Sequence, residues 1–329
     1  MADKVKDTVS HAEMPYHVPA MLQECIDGLD IHPDGIYADV TFGGGGHSRA
    51  IVERLSESGH LYGFDQDMDA YANRIADDRF TFVHSNFRYL RNFMRYYGVE
   101  KLDGIMADLG VSFHHFDTAE RGFSFRADAP LDMRMNRSGT LDARKVINDY
   151  TDEELIRVLK LYGDLRRPAP IVKAILAARS KGEINTTGQL LDILRPAINP
   201  RQEKKELAQV FQALRIEVNG EMQALGDFLE ATTRVLRPGG RLVVLTYHSL
   251  EDRMVKNYLK TGNLNGELEK DFYGRPLTPW RLITRQPLSA SAEEVDCNPR
   301  ARSARLRVAE YCLMAETTDQ NDNNGKKEK

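Results

Sequence analysis

The sequence predicts an α/β protein: a parallel sheet with helices on both faces, interrupted by an all-helical insertion. Three observations carry this. The first hundred residues alternate strand-like and helix-like segments, a run of glycines joins the first strand to the helix after it, and a long helical stretch separates the fourth strand from the fifth. Alternation at this pitch favours parallel pairing with helical crossovers.

In chain order, Met21, Leu22, Cys25, Ile26 and Leu29 fall at helical spacing. Residues 36–41 (IYADVT) form a strand that runs into the glycine loop, and 47–55 continue as a helix. LYGFD is the second strand, 69–76 a helix, FTFVHS the third strand, 90–97 a helix and LDGIMADLG the fourth strand. A Gly-, Arg- and Phe-bearing loop (120–135) follows. Thr151 with Glu154 forms a capping box that opens a helix through Leu161. Helices are predicted at 171–179 and 190–194, then one long helix from about 205 to 236. The turn Pro238-Gly239-Gly240 leads into RLVVLTY, the fifth strand, and 281–285 with 304–311 are predicted to close the fold as a hairpin. Residues 1–13 and 315–329 are polar without an apolar anchor and are expected to be disordered.

The composition of this 329-residue chain, 41% hydrophobic and 29% charged, is that of a globular protein with room for about two domains. Forty-five basic against forty-nine acidic residues leave −4, which excludes a histone-like protein but not a local phosphate-binding face. No apolar run approaches the roughly 18 residues of a membrane helix. The polar N-terminus argues against export. Cys25, Cys297 and Cys312, odd in number and far apart, fit a reduced compartment better than a disulfide framework or a thiolate zinc site. A cytoplasmic protein with no membrane partner is expected.

The sharpest local feature is Asp39-Val-Thr-Phe followed by Gly43 to Gly46, His47 and Ser48. Glycines at a strand's carboxyl end let backbone amides approach a ligand closely, where open α/β sheets bind their ligands. A flexible surface loop is the plainer alternative. Gly43 and Gly45 match two positions of the dinucleotide fingerprint, but Ser48 holds the third, and no P-loop lysine follows. Asp65, ending the second strand, suits the ribose hydroxyls of NAD and of S-adenosylmethionine equally. Phe87 either covers an adenine face or fills core. Asp108 ends the fourth strand, at the rim where a residue faces a reacting centre.

Two basic clusters ask for a partner. Residues 134–181 hold eleven basic and six acidic side chains, and NPRARSARLR holds Arg300, Arg302, Arg305 and Arg307. A solvated helix face explains the first as well as a ligand does; the second is rich in the planar fork that suits phosphate. His114, His115 and His248 lack a third ligand at set spacing, so no metal site is assigned. Ser249 beside His248 has no nucleophile-elbow pattern, which disfavours a hydrolase.

These segments resemble the bacterial 16S ribosomal RNA cytosine N4-methyltransferases, the MraW family. The resemblance spans about Tyr16 to Tyr311 through YHVPAMLQE, DGIYADVTFGGGGHS, DGIMADLGVS, ERGFSF with PLDMRM, FQALRIEVN, PGGRLVVLTYHSLEDR and NPRARSARLR. It implies a Rossmann-like class I methyltransferase domain, residues 14–125 and 206–314, with an inserted helical domain, 126–205, that helps bind RNA. It implies S-adenosylmethionine contacts at Gly45, Gly46, His47, Asp65, Phe87 and Asp108, and at His115, where relatives usually carry Gln. Pro168 and Pro170 depart from the family pattern and predict a local kink or a delayed helix start.

From strand position, Asp108 is expected to border the methyl-transfer site, with Tyr247, His248 and Ser249 holding the cytosine. Phe123 or Phe125 is expected to stack on a splayed base, and the four arginines to bind phosphate. The expected partner is 16S rRNA within the 30S subunit; a homodimer is left open. Two alternatives stand beside this. A DNA amino-methyltransferase is disfavoured by the missing proline-rich motif after the fourth strand. A non-catalytic assembly factor is disfavoured by the intact glycine loop, Asp65 and Asp108.

Overall fold

The computed structural model describes residues 19–110 and 119–312. The terminal segments expected to be disordered, and His114 and His115, lie outside the described residues. Seven strands form one sheet: β1 (Ile36–Asp39), β2 (His60–Asp65), β3 (Phe80–His84), β4 (Leu102–Asp108), β5 (Leu236–Thr246), β6 (Trp280–Leu282) and β7 (Arg305–Tyr311). Their order is β3-β2-β1-β4-β5-β7-β6. The first five are parallel, whereas β7 runs antiparallel to β5 and β6. Strand order reverses between β1 and β4, which opens a crevice at their carboxyl ends.

Both faces of the sheet are covered, and successive strand residues alternate between them. Ile105 and Val244 enter a core with Phe64, Phe228 and Tyr258, while their neighbours Met106 and Val243 enter the opposite core with Leu29, Ile51 and Leu306. Each such fully buried aliphatic or aromatic side chain stabilises the fold by about 1.5–3 kcal/mol. Helix α1 (Leu22–Leu29) supplies Cys25, Ile26 and Leu29, α2 (Gly46–Val52) follows the glycine loop, and α3 (Leu90–Tyr96) follows β3. The segment after β2 is a 3-10 turn, Met68–Asn73, in place of the helix expected at 69–76.

A third core belongs to the helical part. It draws on residues from Phe123 to Leu214, beyond the expected 126–205 on both sides. Its helices are α4 (Ala143–Asp149), α5 (Asp152–Leu161), α6 (Ala169–Arg179), α7 (Thr187–Leu194) and most of α8 (Glu203–Asn219). Thr151 and Glu154 close the capping box that opens α5. Pro168 takes the N-cap of α6 and Pro170 its first turn, where a missing N–H costs nothing, so the helix starts at Ala169, two residues before the expected 171.

The long helix expected over 205–236 is two helices. Gly220 adopts φ 58, ending α8 and starting α9 (Glu221–Val235), a left-handed conformation that glycine adopts without a Cβ clash. The closing strands do pair, but α11 (Ala292–Cys297) and a 3-10 turn, Pro299–Ser303, lie between them, so no tight hairpin forms. Among the described residues no helix is long and apolar enough to cross a membrane.

A buried arginine joins the helical part to the sheet. Arg121, 3% exposed, sets Nη1 at 3.1 Å from Asp67 and 3.3 Å from Asp69, and Nη2 donates to the Arg134 and Met135 carbonyls at 3.0 Å each. Replacing Arg121 by Ala is expected to cost about 3–5 kcal/mol, because it strands buried acceptors. Urea unfolding of the variant beside wild type checks this.

Candidate functional site

At the carboxyl ends of β1, β2, β4 and β5 lies a cavity of about 700 Å³, within the range for small-molecule sites. One wall is the glycine loop. Asp39 accepts from Ser48 Oγ at 2.6 Å through Oδ2 and from the Thr41 amide at 3.1 Å through Oδ1, and Thr41 Oγ1 in turn accepts the Asp108 amide at 2.6 Å. Burial raises the Asp39 carboxyl above its ordinary value. Gly43, Gly44, Gly46 and His47 line the cavity. Gly45, expected as a ligand contact, is not among the lining residues. It turns the chain at φ 76, where a Cβ would meet Arg49 at 2.8 Å and the Phe42 ring at 2.9 Å.

His47 is buried, with Nε2 3.1 Å from the Ala20 carbonyl and Nδ1 4.0 Å from Asp108. Asp65 lines the cavity and accepts the Gly43 and Asp67 amides at 2.8 Å each. A carboxylate is an acceptor of the kind that ribose hydroxyls donate to. Phe87 also lines it, its ring edge-on to Phe228 at 5.5 Å. The residues therefore fit S-adenosylmethionine: a wall of glycines, a carboxylate for the ribose and an aromatic face.

The other end of the cavity differs from expectation. Tyr247 lines it; its ring packs over Gly110, where a Cβ would meet it at 2.8 Å. Burial, and then the Asp108 carboxylate beside it, push the Tyr247 phenol far above its ordinary range, so it stays protonated. His248 and Ser249, placed at the reacting centre by strand position, are absent from the lining. His248 is the N-cap of α10 (Ser249–Thr261): its Nδ1 accepts the Glu251 amide at 3.3 Å, and Glu251 Oε2 accepts the Tyr247 amide at 2.8 Å. Ser249 is the first residue of that helix. Glu251 faces the cavity in their stead.

Arg215, Asn219 and Glu221 also line it, and sequence reasoning assigned them no role. Arg215 and Glu221 pair bidentately at 2.8 Å across the Gly220 break. Arg215 and Asn219 fall in the motif FQALRIEVN, and Glu221 lies two residues beyond it. Glu221, His248 and Glu251 bring ligand atoms within 4.8 Å of one another. Both Glu221 oxygens are nevertheless held by Arg215, and His248 Nε2 sits 3.0 Å from Glu251 out of hydrogen-bonding alignment.

The expected RNA contacts divide. Arg300 and Arg302 are exposed and line the cavity mouth. Arg305 is half-buried and donates to Ser289 at 2.7 Å. Arg307 is buried in β7, and both arms of its fork engage Asp252, at 2.7 and 3.0 Å. Phe123 and Phe125 lie between the cavity and the helical core. Phe123 is 5% exposed, and Phe125 packs edge-on to Phe211 at 5.4 Å. Both line the cavity on the side toward the helical core.

The sequence profile of the MraW methylase family matches residues 14–312. The "Ribosomal RNA small subunit methyltransferase H" of Parabacteroides distasonis is 59% identical over 296 residues, covering 90% of this chain and 97% of that protein. The protein of the same name from Phocaeicola vulgatus is 56% identical over 302 residues, covering 92% and 99%.

Two outcomes are expected. Replacing His248 by Ala removes a helix cap, so unfolding should show a loss of about 1 kcal/mol, with S-adenosylmethionine affinity by calorimetry unchanged. The raised Asp39 value means that its contribution to stability is fully present below the unfolded carboxylate range and is lost as pH rises through the folded value. Urea unfolding across pH should therefore show a flatter profile for Asp39→Asn than for wild type; parallel profiles would refute the burial argument.

Proposed function

Because the chain belongs to the MraW methylase family, we propose that it methylates the exocyclic N4 amine of a cytosine in the decoding region of 16S rRNA, within the 30S subunit in the cytoplasm. The observation that carries this is the continuity of one cavity from the glycine cradle and Asp65 to Asp108, Tyr247, Glu251 and the Arg215–Glu221 pair, with Arg300 and Arg302 at its mouth. S-adenosylmethionine, when bound, supplies an electrophilic methyl group.

The protein's task is to present the amine. Cytosine N4 is a weak nucleophile because its lone pair is conjugated into the ring. In-line orientation can supply roughly 7–11 kcal/mol of the barrier. Acceptors on the amino hydrogens draw the nitrogen toward tetrahedral geometry. Asp108, half-buried at the end of β4, is placed for that role. Tyr247, held protonated, donates to Asp108 and orients that carboxylate toward the amine. No strong base is needed, since the amine becomes acidic once methylated and its proton leaves late. Arg300 and Arg302 hold backbone phosphate.

The test combines purified protein, isotope-labelled S-adenosylmethionine and 30S subunits lacking the modification, with naked 16S RNA and cytosine-containing DNA in parallel. N4-methylcytidine at one position, in the 30S sample alone, is expected by mass spectrometry. Label in DNA alone would point to a DNA enzyme, and cofactor binding with no label anywhere to an assembly factor. Tyr247→Phe should lower kcat about 10- to 100-fold with cofactor affinity kept. Removing Arg300 and Arg302 together should weaken 30S binding and shallow its salt slope by about two phosphate contacts.

A further inference from the structure

We propose that the Arg215–Glu221 pair reads the edge of the acceptor base, so that cytosine is accepted and uracil refused. The inference rests on the methyl-transfer reading above and assigns substrate selection to named groups in the same cavity. Residues 205–236 have the periodicity of one helix, yet the chain breaks at Gly220. No atom lies within 4 Å of a Cβ placed there, so crowding does not force the break. Its consequence is a side-chain arrangement: Arg215 near the end of α8 and Glu221 at the start of α9 meet across it, Nε to Oε1 and Nη2 to Oε2 at 2.8 Å each.

The pair is largely desolvated, with side chains 13% and 16% exposed. It faces the cavity beside the buried Glu251. Fork-to-fork pairing uses one lone pair on each carboxylate oxygen and leaves further guanidinium N–H groups, so acceptor and donor stand side by side. Cytosine presents the complement: amino hydrogens beside the N3 and O2 acceptors. Uracil inverts the first two positions, setting its O4 against the carboxylate and its N3–H against the guanidinium. Both mismatches strand polar groups in a dry site, where they discriminate most strongly. The carboxylate also gives one amino hydrogen an acceptor, which leaves the nitrogen positioned for the incoming methyl group.

A pair that merely clamps the helix break would affect stability and leave base preference alone. The test uses the full-length protein, S-adenosylmethionine and unmethylated 30S subunits reconstituted with cytidine or uridine at the methylated position. The uridine particles act as competitive inhibitors, and the ratio of their inhibition constant to the cytidine KM measures preference. Glu221→Gln should lower kcat/KM about 10- to 100-fold. It should also cut the preference ratio severalfold, because an amide N–H can serve O4. S-adenosylmethionine affinity by calorimetry should hold. Arg215→Lys keeps the charge but loses the fork, and should act likewise; it decides the matter if Glu221→Gln no longer binds S-adenosylmethionine. A preference ratio equal to wild type in the folded variant, whatever happens to the rate, overturns the proposal. Wild-type protein that forms no N4-methylcytidine in any 30S sample removes the methyl-transfer reading instead, and the pair's role with it.

Discussion

One buried carboxylate organises the rim of the sheet. Asp39 ends β1 at 2% exposure and holds Ser48 in the first turn of α2 and the Thr41 amide; Thr41 then holds the Asp108 amide. Three segments that must stand in register around a ligand are thus fixed through a single side chain. Burying a carboxylate disfavours its charged form, and hydrogen bonds offset that cost only where every acceptor position is used well. Ser48 is therefore more than a fingerprint mismatch: its hydroxyl is the donor that makes Asp39 tolerable, which a glycine could not provide.

The second constraint is the joint between sheet and helices. Arg121 reaches from a 3-10 turn, Ala119–Arg121, to Asp67 and Asp69. Asn219 donates to the Met133 carbonyl and accepts the Met135 amide, at 2.8 Å each. Met133 sits at φ 59, a conformation non-glycine residues rarely adopt, held by its amide donating to the Arg121 carbonyl and by the Asn219 bonds that follow it. These contacts place α8 against the cavity, so Arg215 and Glu221 face the same space as Asp108 although they leave different cores.

Much of the fold is legible in the sequence because its determinants are local or strictly periodic. The Thr151–Glu154 capping box, the Pro168 start and the two-faced apolar strands need no partner to be recognised. The glycine cradle, Asp65 and Asp108 are legible because strand ends in this architecture share a rim. What escapes is set by tertiary contact. Gly220 is tolerable within a helix at about 1 kcal/mol, so only the folded backbone, left-handed at Gly220, reveals the break. Arg307 reads as a phosphate ligand until β7 is seen opposite Val244 with Asp252 beside it. His248 and Glu251 exchange places for a similar reason: a histidine in the slot where Ser or Thr usually caps a helix hides the capping box.

The central strands β4 and β5 lie side by side, yet the whole helical part separates Asp108 from Leu236. Synthesis proceeds from the N-terminus, so β1 to β4 emerge well before β5. Meanwhile β4 presents an open edge of unpaired amides and carbonyls flanked by Ile105 and Met106, a template for pairing with the wrong chain. The helical part has a core of its own. Folding in that interval, it replaces a long flexible loop by a compact bridge and reduces the closure entropy of the β4–β5 pairing. A compact insertion thereby shortens the loop that must close when β4 and β5 pair.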